Sequence, residues 1–159
     1  MFNIRKFLYT ITISTLITAL PVNGASAKQT ETAFDKQQIE CLAQNVYFEA
    51  GNQSRTGKIA VSNVVMNRVN DKRFPNTPCA VIKQKARGVC QFSWVCQGKK
   101  YIRDQKTYAE ALSVARRVYD NAIDVTNGAK FYHASYVKPS WSRVFKRTVV
   151  IGDHIFYKG

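Results

Sequence analysis

The chain has 159 residues, 24 of them Lys or Arg against 10 Asp or Glu, a formal net charge of +14. That length is enough for one domain with a modest core, and no internal repeat, low-complexity tract or dividing linker interrupts it. The charge favours polyanions, but the basic residues are spread along the chain and no nucleic-acid-binding signature accompanies them, which argues against a specific nucleic-acid partner.

Residues 1–27 read as a secretory leader. Arg5 and Lys6 supply the positive start, residues 7–20 the apolar stretch, and Ala25-Ser26-Ala27 a small-residue cleavage site. The apolar stretch is short and rich in Thr and Ser, so it predicts no permanent membrane span, which needs about 20 apolar residues. Without Arg5 and Lys6 the balance is 22 basic to 10 acidic residues, a net charge of +12. An exported, monomeric protein, periplasmic or extracellular, is expected. Its polyanionic partner is then a cell-wall surface, a membrane surface or extracellular nucleic acid.

After a flexible lead-in over 28–34, a single domain is expected over 35–159. Its first helix has Asp35 as N-cap, Gln38 three residues on as in a capping box, and Phe34 with Ile39 as a hydrophobic staple. Ile39, Leu42, Ala43, Val46 and Ala50 fall on one face. Gly51 suits a left-handed helix end. Glu49 lies only about 20° round the helix from Leu42, where a purely structural helix takes Leu or Val. A carboxyl half-buried there resists ionisation and serves as a general acid near neutral pH. The competing reading is a flanking Glu whose head reaches water or pairs with a Lys or Arg.

A second helix is predicted over 56–69, burying Ala60, Val61, Val64, Val65 and Val69. Asn63 and Asn67 share one of its faces, as a polar groove or a solvated surface. Thr77 as cap and Pro78 in the first turn predict a short helix to residue 84. Residues 85–103 read as irregular or hairpin structure, with Gln91 and Ser93 two apart on an extended segment. A longer helix is predicted over 104–123, capped by Asp104, with Tyr108, Ala111, Leu112, Ala115, Val118, Tyr119 and Ala122 inward. Residues 131–133 and 148–151 are β-like, and Gly152-Asp153 reads as a hairpin turn into 154–157. Helices first and strands last predict a segregated α+β domain.

Four cysteines, Cys41, Cys79, Cys90 and Cys96, read as two disulfides in an exported chain. Three pairings are open. Cys90 and Cys96 bracket a short aromatic segment and suit a small loop, which leaves Cys41 for Cys79. A zinc site is disfavoured, because His133 and His154 are far apart and no CxxC spacing is present. No metal or cofactor is called for.

Taken in order, several motifs resemble the SleB-type cell-wall hydrolases, the family that includes spore-cortex-lytic enzymes. They are Leu42-Ala43 through Tyr47-Phe48-Glu49-Ala50, Gly57 with Ala60-Val61, and Val64-Val65-Met66-Asn67-Arg68-Val69. Phe74-Pro75 to Cys79, Cys90-Gln91-Phe92-Ser93-Trp94, Asn127-Gly128-Ala129 and Tyr132-His133 follow, and then Pro139-Ser140-Trp141 and residues 151–157. The resemblance implies a lysozyme-like α+β domain acting on peptidoglycan glycan strands, with the glutamate at Glu49 as the essential acid. Members commonly carry Glu-Ala-Arg-Gly-Glu where this chain has Glu49-Ala50-Gly51-Asn52-Gln53, so their second acidic group is absent. An acidic-proline pair often precedes Thr-Asn-Gly, whereas here Asp124-Val125 precedes Thr126.

With one convincing carboxylate, the chemistry expected is that of a lytic transglycosylase rather than a two-carboxylate hydrolase. Asp124 and Asp153 are the remaining acid candidates, and both sit at turn-like positions. Gln91 and Ser93 are candidate donors to acetamido groups, Trp94, Tyr132 and Trp141 candidate sugar-stacking rings, and His133 a candidate substrate contact. The alternatives are a zinc-dependent muramoyl-alanine amidase and a noncatalytic cationic wall-binding protein.

Overall fold

In the computed structural model, residues 30–121 and 123–159 are described. The leader of residues 1–27, the start of the lead-in and Ala122 lie outside the described residues. Residues 31–159 form one compact unit.

Helix α1 (Ala33–Ala50) begins earlier than its sequence predicts. Thr32, not Asp35, is the N-cap: Thr32 Oγ1 accepts from the Asp35 amide at 3.1 Å, and Asp35 Oδ2 accepts from the Thr32 amide at 3.3 Å. This reciprocal box satisfies two end donors at once. Gln38 is thereby free to turn inward and accept from the Cys79 amide at 3.0 Å. With the cap at Thr32 the expected staple loses its spacing, and Phe34 is exposed. Ile39, Leu42, Ala43, Val46 and Ala50 are buried, and α1 is the central helix of the domain. Gly51 is right-handed, with φ −57°, so left-handed freedom is not what selects glycine there. A Cβ at Gly51 would stand 2.6 Å from the Tyr47 carbonyl oxygen, too close for any other residue.

Helix α2 (Arg55–Val69) is capped by Ser54 and buries Ala60, Val61, Val64 and Val65, with Val69 only partly covered. Asn63 and Asn67 do not line a groove. Asn63 donates to the Ile123 carbonyl and accepts from the Val125 amide at 3.0 Å, while Asn67 donates to the Ala129 carbonyl at 3.0 Å. Both amides fasten the loop over 123–129 to α2, replacing the backbone pairing that an irregular segment lacks.

Helix α3 (Pro78–Lys83) follows its Thr77 cap and is held to α1 by the Cys41–Cys79 disulfide. Strands β1 (Lys85–Ala86) and β2 (Val89–Cys90) form a small hairpin turned by Arg87 and Gly88, both at positive φ. The expected extended segment around Ser93 is instead the short helix α4 (Ser93–Cys96). The Cys90–Cys96 disulfide brings those Cα atoms to 6.0 Å. Six extended residues would span roughly 20 Å, so the intervening chain has to coil. Helix α5 (Gln105–Asp120) starts at its Asp104 cap and ends before residue 123. It buries Ala111, Ala115 and Val118 as expected, and Val114 in addition; Tyr108, Leu112 and Tyr119 are partly covered.

Strands β3 (Phe131–Ala134), β4 (Lys146–Ile151) and β5 (His154–Lys158) form an antiparallel sheet in the order β3-β5-β4. Gly152 turns the β4–β5 hairpin at φ 56°. Side chains alternate across the sheet. Tyr132, His154 and Phe156 share one face, and Phe156 packs on Ala60 and Val64 of α2. Phe131, His133 and Tyr157 share the other, over Trp141 and Phe145. The outcome is the lysozyme-like α+β fold expected from sequence. No described helix is long and apolar enough to cross a membrane.

Both disulfides have the expected pairing, and their loops differ in length, with separations of 38 and 6 residues. By loop entropy the longer contributes on the order of 4 kcal/mol and the shorter about 2 kcal/mol. Non-reducing peptide mapping is expected to recover Cys41–Cys79 and Cys90–Cys96. Cys41→Ser with Cys79→Ser is expected to lower the melting temperature more than Cys90→Ser with Cys96→Ser; equal losses would contradict this ranking.

Candidate active site

Besides Gln38, two polar residues interrupt the buried stripe of α1, and they lie one turn apart. Asn45 is fully buried and Glu49 half-buried. At a spacing of four residues their side chains share one strip of the helix. Glu49 sits in the last turn, where the carbonyl end of the helix disfavours negative charge. Burial raises its pKa above the ordinary 4.5, and a hydrogen bond from Tyr132 partly opposes that rise. Tyr132 Oη donates to Glu49 Oε2 at 2.8 Å, Glu49's one hydrogen-bond partner among the described residues. Burial and the neighbouring Glu49 carboxyl hold the Tyr132 phenol well above its ordinary 10, so it remains a donor throughout the physiological range.

Tyr132 is itself fixed by its sheet. Its ring lies 5.7 Å from Phe156 and meets the His154 ring edge-on at 5.1 Å. Burial lowers the pKa of His154, which favours the neutral ring. Nearby, Arg68 is buried among Phe74, Phe92 and Phe131, its guanidinium carbon 5.3 to 5.6 Å from their ring centres. Arg68 Nε donates to the Lys130 carbonyl at 2.7 Å, next to the strand that carries Tyr132. Burial brings its pKa down to about 10, still charged at neutral pH. Aromatic faces stabilise such a cation where water is excluded.

Trp94 forms the other side of the site. Its Nε1 donates to Asn45 Oδ1 at 3.0 Å, and its ring lies over Phe48 at 4.7 Å. The structure therefore brings Tyr132 to Glu49, and Trp94 to Asn45 and Phe48 within the preceding turn of α1. Gln91 is half-buried and Ser93 exposed on the same disulfide-closed loop as Trp94, and neither hydrogen-bonds to Glu49. His133 is not brought to this side. It faces the opposite side of the sheet, where Nε2 meets Tyr157 Oη at 3.0 Å, Nδ1 lies 2.9 Å from the Ala134 carbonyl and the ring stacks on Tyr157. Trp141 packs on that same far face, against Phe131 and His133.

The other carboxylates are spoken for. Asp124 accepts from the amides of Thr126 at 2.7 Å and Gly128 at 2.5 Å and so closes its own turn. Asp153 accepts from Gln53 Nε2 at 2.9 Å, and its amide donates back to Gln53 Oε1 at 3.2 Å. Gln53 thus clasps the β4–β5 turn, from the position that carries glutamate in the Glu-Ala-Arg-Gly-Glu motif this chain departs from.

Comparison with known proteins identifies the family and the fold. The family model described as Cell Wall Hydrolase matches residues 52–157, and the chain belongs to that family. The match begins three residues after Glu49. The spore cortex-lytic enzyme of Bacillus subtilis (strain 168) is 33% identical over 127 residues, covering 77% of this chain and 38% of that protein. The spore cortex-lytic enzyme of Halalkalibacterium halodurans is 31% identical over 138 residues, 84% of this chain and 38% of that one. The chain thus spans about two-fifths of these relatives. Among solved structures, the catalytic domain of the germination-specific lytic transglycosylase SleB from Bacillus anthracis superposes with a TM-score of 0.64 at 28% identity, covering 80% of this chain and 98% of that one. The Bacillus cereus SleB catalytic domain gives 0.63 at 27% identity, covering 77% and 91%.

A raised carboxyl pKa has a consequence for stability. A group whose folded pKa exceeds its unfolded value favours folding below the unfolded pKa and loses that contribution as pH rises through the folded one. Glu49→Gln, which mimics the protonated acid, is therefore expected to melt higher than the parent near pH 7.5. The difference should shrink as pH falls through the raised folded pKa and be lost below about 4.5. Thermal melts across that range check it; a mutant less stable at pH 7.5 would contradict a desolvated Glu49.

Proposed function

We propose that this chain degrades peptidoglycan by cleaving the MurNAc–GlcNAc glycosidic bond as a lytic transglycosylase, with Glu49 as general acid and then base. The observation that carries this reading is a carboxyl raised in pKa by burial and hydrogen-bonded by Tyr132, on whose titration no second carboxylate acts among the described residues. Two-carboxylate hydrolysis needs a partner acid roughly 5 to 10 Å away, and Asp124 and Asp153 are both engaged in turns. The printed description of the Bacillus anthracis neighbour as a lytic transglycosylase supports the same chemistry.

In the proposed reaction Glu49 gives its proton to the glycosidic oxygen as the bond from muramoyl C1 breaks. The oxocarbenium ion is trapped by the same sugar's C6 hydroxyl. That hydroxyl forms the new bond to C1 and returns its proton to the Glu49 carboxylate. The product carries a 1,6-anhydromuramoyl end, and water is not consumed. Holding the internal hydroxyl close replaces a positioned water by proximity. Tyr132 stabilises Glu49 in its transient charged form, since a hydrogen bond to a charged acceptor is the stronger kind.

Trp94 supports a sugar ring beside the acid, while Gln91 and Ser93 on the same loop bind acetamido groups. The leader over 1–27 and two disulfides support export to the wall, where the net positive charge holds the domain on an anionic surface.

Mass spectrometry of digested peptidoglycan tests this directly. Anhydro ends from the parent protein, and their near-complete loss in a folded Glu49→Gln variant, are expected. Reducing ends would replace transglycosylation by hydrolysis, released stem peptides would indicate an amidase, and full turnover by Glu49→Gln would remove Glu49 from the reaction.

A further inference from the structure

Beside the Glu49 site, on the other side of Trp94, lies a cavity of about 310 Å³ to which Glu49 does not contribute. Its floor is α1, where Cys41, Gln44 and Phe48 recur at the spacing of one helix face. Ile82 and Lys83 of α3 close one end, Trp94 and Val95 form a side wall, and Gly98 with residues 100–102 the outer wall. The walls are fixed. Cys41 is bonded to Cys79, the Trp94 loop is closed by Cys90–Cys96, and Tyr47 Oη accepts from the amides of Arg103 and Asp104 at 3.2 and 3.1 Å just beyond the outer wall. A cavity tied at three points keeps its shape without an occupant, as ligand sites commonly do.

The chemistry of the lining is selective. The interior is largely apolar, and the charged groups at its rim are Lys83 and Lys100, with no acidic side chain among the lining residues. Ammonium groups donate hydrogen bonds and accept none. Side-chain acceptors for the many hydroxyls of a neutral sugar are limited to Gln44 and Tyr101, whereas both charged groups of the lining are cations. A short peptide with methyl-sized side chains and free carboxylates is well served. Peptidoglycan carries such a peptide as a branch on the muramic acid whose bond Glu49 is proposed to cleave. At about 3.5 Å per residue, the second and third residues of the branch reach on the order of 10 Å from the sugar. Phe48 lines the cavity and Glu49 follows it in the helix, about 100° round the axis, so the two sites adjoin.

We propose that this cavity is a stem-peptide subsite. Apolar walls take the alanine methyl groups, and Lys83 and Lys100 pair with the branch carboxylates. Trp94, held by Asn45, is the partition between peptide and cleavage centre. The assignment rests on the peptidoglycan reading, and it makes the enzyme selective for strands that retain their peptides.

The test is binding of a fluorescein-labelled L-alanyl-γ-D-glutamyl-meso-diaminopimelate tripeptide to the full chain, followed by anisotropy at low salt. Saturable binding by the parent protein is expected, together with an unchanged affinity in Glu49→Gln. Lys83→Gln with Lys100→Gln should weaken binding about tenfold, the sum of two exposed ion pairs. Gln44→Trp, which fills the cavity from α1 without altering either lysine, should abolish it. No binding by the parent, binding that survives both variants, or displacement by peptide-free glycan as effective as by unlabelled peptide would overturn the proposal. Because no bond is cleaved in this assay, its failure is separable from that of the glycosidic reading. Cleavage of glycan without peptide binding removes the subsite alone, and peptide binding without cleavage removes the lyase reading alone.

Discussion

The hydrogen bond from Tyr132 to Glu49 joins the two halves of this domain across 83 residues of sequence. An acid on a helix end and a phenol on a strand meet only if α1, α2 and the sheet are stacked in one arrangement. Much of the remaining structure serves that meeting. Phe156 seats the sheet on α2, Asn63 and Asn67 tie down the chain that leads into β3, and Gln53 clasps the turn that leads into β5. The two ends of the bond have opposite needs. In the proposed reaction Glu49 has to stay dry enough to keep its proton, yet once it gives that proton away it needs a partner. Tyr132 reconciles them, being a donor that stays neutral and itself lies in apolar surroundings.

Arg68 belongs to the same arrangement. A buried guanidinium is expensive unless it is well partnered, and this one is met by the Lys130 carbonyl and three aromatic rings. One of those rings, Phe131, precedes Tyr132 on β3, and another, Phe92, lies on the loop that carries Trp94. The cation therefore sits where both walls of the site are anchored, and its charge opposes the rise in the Tyr132 phenol. Asn45 plays the matching part on the helix. By accepting from the Trp94 indole it fixes the large ring against α1 one turn before Glu49, and with it a wall of the neighbouring cavity.

The helices, the strand order in the chain, the disulfide pairing and the half-burial of Glu49 were all legible in the sequence, because each leaves a local signature: a period, a turn dipeptide, a cysteine spacing, a polar residue on an apolar stripe. Other features were legible in principle and passed over. Arg68 is three, four and seven residues from Val65, Val64 and Val61, squarely on the buried face of α2. Asn45 is one turn before Glu49. Tyr132 and His133 are neighbours on a strand, so period-two alternation allows only one of them to face the acid, and the structure turns Tyr132 that way. What no local signal carried was partnership over distance. Thr32 captures Asp35 and so leaves Gln38 to accept from Cys79, and α4 coils because a disulfide shortens the path. Tyr132 offers Glu49 its hydroxyl, where a stacking ring was the expectation. Gly51 was read correctly as a glycine-requiring end, but the requirement comes from the nearby Tyr47 carbonyl and not from a left-handed backbone.

Direct titration of the Glu49 carboxyl is the measurement closest to the central claim. With 13C-labelled glutamate, the Glu49 side-chain carboxyl resonance, assigned through its loss in Glu49→Gln, can be followed against pH in the parent chain and in Tyr132→Phe. The account predicts a midpoint above the ordinary 4.5 in the parent, and a still higher one in Tyr132→Phe, which keeps the burial and loses the bond that favours the charged form. A parent midpoint at or below 4.5, or a Tyr132→Phe midpoint that falls, would contradict it.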